Sequence, residues 1–216
     1  LIGDDKCERY AELARKITMR TIVDSLAGAQ GLSRAALRHG LTFDIDIAID
    51  FGAHREGVQP DQLLTFAREV AALPGLRVRG VFTYAGTIYQ YHNEQDIRRA
   101  AREEAALLMT SRDLLNAHGF HIDVLSGGST LSSFYADELS GITESRAGNF
   151  IFGDMNAING GIYRLRVDHL CDGCQYPAAG LRHAGCRYKI ADLRSFRDAR
   201  FLRIDSGTSG RRAGQA

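Results

Sequence analysis

The chain has no run approaching the ~18 consecutive apolar residues that a membrane-spanning helix requires. No basic segment leads into an apolar one at its start either. Leu1, Ile2, Gly3, Asp4 and Asp5 stand there instead, so neither an anchor nor a secretory signal is visible. Cysteine is scarce, with four in 216 residues, and three of them (Cys171, Cys174, Cys186) fall within the last 53. A reducing, cytoplasmic setting is the expectation. What is present, 44% hydrophobic and 25% charged residues, excludes disorder of the whole chain and suits a domain with a buried core. The first residue is not Met and Leu1-Ile2-Gly3 reads like the end of a strand, so a piece of something longer is expected.

A formal net charge of +1 conceals an imbalance. Residues 1–163 carry 16 basic and 21 acidic side chains, whereas residues 164–216 carry 11 and 5 and hold ten of the 24 arginines. Such asymmetry signals either a basic arm for nucleic acid or two parts of different origin. The apolar periodicity also stops near Tyr163, which divides the chain into residues 1–163 and a tail, 164–216.

Upstream of that boundary helices and strands alternate. Asp4 is a candidate N-cap for a helix to Lys16, with Tyr10, Leu13, Ala14 and Ile17 at helical spacing. A short strand is expected at Thr21–Asp24, then an amphipathic helix over Ser33–His39 that stops at Gly40. Phe43–Asp50 alternates strictly, with Phe43, Ile45, Ile47 and Ile49 on one side and Asp44, Asp46, Ala48 and Asp50 on the other. Pro60 and Asp61 open a helix to Leu73, Leu76–Thr83 is a strand, Asn93–His118 a long helix, and Ile122–Leu125 a strand. Repetition of this length implies βαβ units and a parallel sheet. A strand covered by helices on both faces is apolar on both, yet Phe43–Asp50 puts three carboxylates on one face. A barrel, whose inward face can be polar near an active-site mouth, accommodates them; a wet edge strand of an open sheet is the alternative. The fold class expected is therefore α/β: a parallel (β/α) TIM-type barrel, incomplete at the N-terminus, with a poorly structured C-terminal tail.

Three segments at strand ends have the chemistry to hold a phosphate and a ring. In Leu125-Ser126-Gly127-Gly128-Ser129-Thr130 two glycines let backbone N–H groups converge on an anion while Ser126, Ser129 and Thr130 add hydroxyls; alone, the same run is an ordinary turn. In Glu144-Ser145-Arg146-Ala147-Gly148-Asn149-Phe150 a glycine permits close approach and Arg146 offers an always-charged fork; alone, Glu144 and Arg146 read as a surface ion pair. The third is Asp50-Phe51-Gly52-Ala53-His54-Arg55-Glu56-Gly57-Val58. In a β/α barrel all three face one mouth.

Together with Gly80-Val81-Phe82-Thr83-Tyr84-Ala85-Gly86-Thr87, and in this order, these segments resemble the N-terminal barrel of the alanine racemase superfamily, the fold-type III pyridoxal-phosphate enzymes. The resemblance is closest to the D-threonine aldolase and D-serine dehydratase branch and covers roughly residues 1–163. It implies a PLP-dependent lyase of D-3-hydroxy amino acids acting by Cα–Cβ cleavage or by loss of water. A divalent metal belongs to the complete enzyme, its ligands outside this chain. The partners implied are a small D-amino acid and, for the complete enzyme, a second copy as a homodimer, with neither nucleic acid nor membrane. By the same resemblance Ser126, Gly127, Gly128, Ser129, Thr130, Gly148 and Asn149 bind the cofactor phosphate. Tyr84 flanks the pyridine ring, and Arg55 and Arg146 stand near the ring or the substrate carboxylate, with Tyr84 and Arg55 taken as the catalytic candidates and Arg146 as cofactor-binding. An arginine at the ring nitrogen keeps that nitrogen unprotonated and weakens the electron sink; which arginine does so stays open. An amino acid racemase-like PLP-binding protein, or a non-catalytic remnant, are the alternatives.

The departures bear on activity. Thr87 stands where the family keeps a histidine, and Phe150 where it keeps a tyrosine. The family's Schiff-base lysine lies on the first barrel strand, and Lys6 and Lys16 fall on the first predicted helix, so an inactive fragment is expected. Open strand edges then imply low solubility or self-association. Nothing after Tyr163 resembles the family's second domain. The stretch Arg182–Ser195, back-translated with permitted codons and read one base later, gives a run containing Asp-Ala-Gly-Thr-Lys that is similar to a strand of that domain. The tail is therefore read as out of frame from about Arg164–Cys174, which codons forbidding that run would exclude. A zinc knuckle from Cys171, Cys174, His183 and Cys186 is the rival account of the tail.

Overall fold

In a computed structural model of the chain, residues 3–148 and Phe150 are described. The element order is α1 (Asp4–Ala14), β1 (Arg20–Val23), α2 (Leu26–His39), β2 (Phe43–Ile49), α3 (Leu63–Ala71), β3 (Leu76–Thr83), α4 (Glu94–Ala117), β4 (Val124–Gly127), α5 (Thr130–Ser133) and β5 (Glu144–Ser145). Short 3-10 turns at Pro60–Gln62, Gly86–Gln90 and Ala136–Leu139 lie between them. None of these helices is long and apolar enough to cross a membrane.

All five strands are parallel, and their spatial order is their chain order. A doubly wound open sheet reverses its strand order at a switch point, whereas a β/α barrel adds each strand beside the last. The arrangement is an arc of such a barrel. Its curl is shown by one contact: the Arg20 guanidinium of β1 bonds Asp46 of β2 at 2.7 Å and also reaches the Glu144 carboxylate of β5. In a flat sheet β1 and β5 would stand four strand spacings, roughly 19 Å, apart. The chain therefore forms an incomplete TIM-type barrel, and the wall carrying Arg20, Asp46 and Glu144 is its inward face.

The outward face carries the core. Phe43, Ile45, Ile47 and Ile49 of β2 pack with Leu32 and Ala36 of α2 and with Leu63, Phe66 and Val70 of α3, all buried. The three carboxylates on the other face each find donors. Asp44 takes Arg77 at 2.6 Å, Asp46 takes Arg20, and Asp50 takes the backbone of the following loop. An irregularity between Ile45 and Asp46 leaves Arg79 of β3 unpaired in the register, which runs Ile45 to Val78 and then Asp46 to Gly80. This bulge sets Val78 and Val81, three residues apart, on the same buried side.

Helix α2 starts seven residues earlier than its amphipathic run suggests, capped by the Ser25 hydroxyl. The cause is tertiary. The first half of the helix is buried through small residues, and a Cβ on Gly31 would stand 3.4 Å from the Cys7 sulfur of α1, so glycine here serves close helix packing. Helix α1 starts after Gly3, not with Asp4 as the cap. Strand β5 has only two residues, too short to leave an alternation in the sequence.

Asp46 is buried, and burial pushes its carboxyl up to about 6 in spite of the Arg20 guanidinium beside it. Arg20→Met removes the only cation bonded to Asp46 among the described residues. The expected cost is about 3 kcal/mol at pH 8 and clearly less at pH 5, where Asp46 protonates instead of standing as a lone buried charge. Urea unfolding of both proteins at the two pH values measures this, and an equal loss at both would show that the pair does not govern stability.

Candidate active site

The loop after β2 is shaped by Asp50. Its Oδ1 accepts the N–H groups of Gly52 at 2.9 Å and His54 at 3.0 Å, and its Oδ2 accepts the Gln59 amide at 3.0 Å. The His54 imidazole adds a contact at 2.7 Å. Burial works against the charge of Asp50, but these donors outweigh it and hold the carboxyl below its ordinary range. The Val58 N–H returns to the Ala48 carbonyl at 2.9 Å, so the loop is fastened at both ends of its span. Arg55 projects from it, paired with Glu56, and its guanidinium lies 4.8 Å from the centre of the Tyr84 ring.

Tyr84 follows β3 directly. Burial, and then its neighbour Tyr89, push its hydroxyl up to about 12, so at neutral pH the phenol stays protonated and carries a hydrogen to donate in a hydrogen bond. The next residue, Ala85, gives its N–H to Glu104 of α4 at 3.3 Å. The same Glu104 Oε1 accepts the Gly128 N–H from the turn after β4 at 2.9 Å.

That turn is packed hard onto α4. A Cβ on Gly127 would come within 2.8 Å of Leu108 Cδ1 and 3.4 Å of Glu104 Oε1, and Gly128 has a φ of +79°, a conformation glycine alone adopts without strain. Ser129 caps α5 in a reciprocal pair, its N–H donating to Ser132 Oγ at 2.7 Å and its hydroxyl accepting the Ser132 N–H at 3.2 Å. Two of the N–H groups expected to converge on an anion thus serve the protein itself. Gly128 donates inward to Glu104 and Ser129 to Ser132, so these residues shape the turn.

The turn after β5 closes the arrangement. The Arg146 N–H bonds the Gly127 carbonyl at 3.0 Å, and its Nε donates to Ser126 Oγ at 2.8 Å while its guanidinium lies 4.4 Å from the Phe82 ring centre. Glu144 does not pair with Arg146 as a surface bridge. Burial raises it, but bonds from Arg20 and Ser126 outweigh this and leave it below its usual value. Gly148 is exposed enough that nothing among the described residues lies within 4 Å of where a Cβ would stand. Asn149 lies outside the described residues, as does the tail with its cysteines.

The loops bearing Arg55, Tyr84, Ser126 to Thr130, and Arg146 to Gly148 thus stand at the C-terminal ends of adjacent parallel strands, and they are joined by contact: Arg55 on Tyr84, Ala85 and Gly128 on Glu104, Ser126 on Arg146. Sequence reasoning missed Glu104 and Arg20. Glu104 did leave a signal, since it occupies the buried stripe of α4 among Ile97, Ala100, Ala101, Ala105 and Leu108. A carboxylate in such a stripe requires a reason. Arg20 left none.

Comparison with known proteins gives the same picture. The family model "Alanine racemase, N-terminal domain" matches residues 1–156. The chain is 34% identical over 151 residues to the D-threo-3-hydroxyaspartate dehydratase of Delftia sp. (strain HT23), covering 68% of this chain and 40% of that protein. It is 30% identical over 156 residues to the D-threonine aldolase of Arthrobacter sp., covering 71% and 41%. The crystal structure of an alanine racemase-like protein from Idiomarina loihiensis superposes with a TM-score of 0.67 at 30% identity over 74% of this chain and 43% of the other. The chain thus spans well under half the length of each.

Burial pushes Glu104 up to about 7, against 4.5 for an ordinary glutamate. Between those values the folded chain holds a proton that the unfolded chain has released. Stability therefore falls as pH rises across that window, by on the order of 3 kcal/mol in all. Glu104→Gln keeps the acceptor oxygen and removes the charge. In urea titrations from pH 4.5 to 8 the variant is expected to lack that part of the decline and to gain on the wild type as pH rises, and parallel profiles would rule this out.

Proposed function

The chain belongs to the alanine racemase N-terminal domain family, and from that premise we propose that it supplies the cofactor-gripping wall of a pyridoxal-phosphate-dependent lyase of D-3-hydroxy amino acids. The observation that carries this reading is the joining of four loops at one end of the barrel arc, with Arg146 fixed on Ser126 and, two residues on, a glycine left in open space. The substrate class rests on the names of the dehydratase and aldolase relatives. Both reactions, loss of water to a keto acid and ammonia or cleavage to glycine and an aldehyde, begin from a D-amino acid with a β-hydroxyl.

The residues fit the group. Gly148 stands in open space among the described residues, so its backbone is open to a phosphate, and the Ser126 to Thr130 turn, whose Gly127 carbonyl takes the Arg146 N–H, brings hydroxyls and a glycine backbone anchored on Glu104. Bound there, the cofactor supplies an electron sink for the substrate α-carbon. The protein's part is to hold and polarise. In this reading Arg146, a permanent cation fixed by Ser126 and backed by Phe82, would hold the ring nitrogen of the bound cofactor and would keep a proton off it. Arg55, on the outer rim over Tyr84, is the guanidinium within reach of a substrate carboxylate, and the neutral Tyr84 phenol is a hydrogen-bond donor to the ring side of the site. The Asp50 brace fixes the loop that bears Arg55, so this cation is held in place before substrate arrives.

Gly148→Val tests the placement. With no described neighbour within 4 Å of the added Cβ, the melting temperature is expected to stay within about 2 °C of wild type. Affinity for pyridoxal 5'-phosphate, followed by calorimetric titration, is expected to fall at least about tenfold, equivalent to ~1.4 kcal/mol. A variant that binds the cofactor as the wild type does would remove the phosphate from this loop.

A further inference from the structure

We propose that Glu104 is the positioning residue of the cofactor site, a buried carboxyl on α4 that ties the Tyr84 loop to the Gly127-Gly128 turn and so fixes the distance between ring contact and phosphate contact. This rests on the cofactor reading above, since that reading makes the two loops the two ends of one ligand.

The geometry is specific. Glu104 is fully buried, and one oxygen, Oε1, accepts two backbone N–H groups from segments 43 residues apart in sequence: Ala85, next to Tyr84, and Gly128. The two segments belong to loops after neighbouring strands, but β3 pairs with β4 only through Gly80, Val81 and Phe82 against Val124, Leu125 and Ser126. Beyond Phe82 and Ser126 no ladder bond holds them, and Glu104 takes over at the point where the sheet stops. The Ser132 hydroxyl turns toward the same carboxyl while keeping its bonds to Ser129, so α5 is set against this anchor too. Oε2 accepts no hydrogen bond among the described residues. An apolar residue at this point of the α4 stripe would pack as well, but it would leave two buried N–H groups without acceptors.

A cofactor with a ring at one end and a phosphate at the other reads that distance, whereas its separate halves do not. Removal of the carboxyl is therefore expected to affect the intact cofactor more than either half. The experiment uses the full chain, as wild type, Glu104→Leu and Glu104→Gln, and titrates pyridoxal 5'-phosphate, pyridoxal and inorganic phosphate by calorimetry. Hydrogen exchange at the Ala85 and Gly128 amides is followed in the same proteins without ligand.

In Glu104→Leu both amides are expected to lose protection together while Val81 and Leu125 keep theirs, and affinity for pyridoxal 5'-phosphate is expected to drop tenfold or more, with less than threefold change for pyridoxal or phosphate alone. Glu104→Gln, which retains the accepting oxygen, is expected to restore both readouts, and it serves as the test if the leucine variant does not fold. Unchanged exchange at Ala85 and Gly128, or equal losses for the cofactor and for its halves, would overturn the positioning role alone. A wild-type chain that binds the cofactor no better than inorganic phosphate would overturn the cofactor reading and the positioning role with it.

Discussion

The Arg20 guanidinium holds the strand arc in its curl. It joins a carboxylate on the neighbouring strand to one on the far strand of the arc, and the second contact exists only if the sheet is curled. Curl in turn divides each strand into a side that meets helices and a side that meets its own opposite wall. The apolar residues of β2 go to the first and its aspartates to the second. Buried pairs of this kind contribute little net stability, because desolvation consumes most of the attraction, but they penalise any arrangement that leaves one partner alone. Their value here lies in specifying the arc against a flatter sheet.

The same logic repeats one layer up. The loops that form the site are irregular, and irregular backbone has polar groups that the sheet no longer satisfies. Asp50 takes up those of the first loop and Glu104 those of the next two. Two buried carboxylates thus do for the rim what ladder bonds do for the strands. They differ in their own charge state: donors outweigh burial at Asp50, and burial outweighs donors at Glu104.

Much of this was legible in the chain. The alternation of Phe43 to Asp50 states a two-sided strand, and it pointed to a barrel because its polar side carries carboxylates that helices could not cover. Gly40 marked the end of α2, and the glycine-rich turns marked the strand ends. What was not legible depends on residues distant in sequence. The early start of α2 was hidden by small residues whose burial depends on other parts of the chain, among them Gly31 against Cys7 of another helix, and β5 was hidden by its length of two residues. At the rim, the sequence shows that Gly127 and Gly128 turn the chain. It does not show that the Gly128 N–H points inward to α4 and not outward to a ligand. Such directions are set by contacts, and no local pattern encodes them.

The bulge at Arg79 works as a one-residue phase shift within β3. Upstream of it the strand keeps step with the helix-facing side through Val78; downstream it keeps step through Val81, and Phe82 comes to lie beneath Arg146. A descendant that lost this single codon would have nearly the same composition and hydropathy, yet one half of the strand would be turned inside out relative to the other. Either the valines would leave the core or the aromatic floor would leave the mouth. Length at this position is therefore under tighter restraint than residue identity.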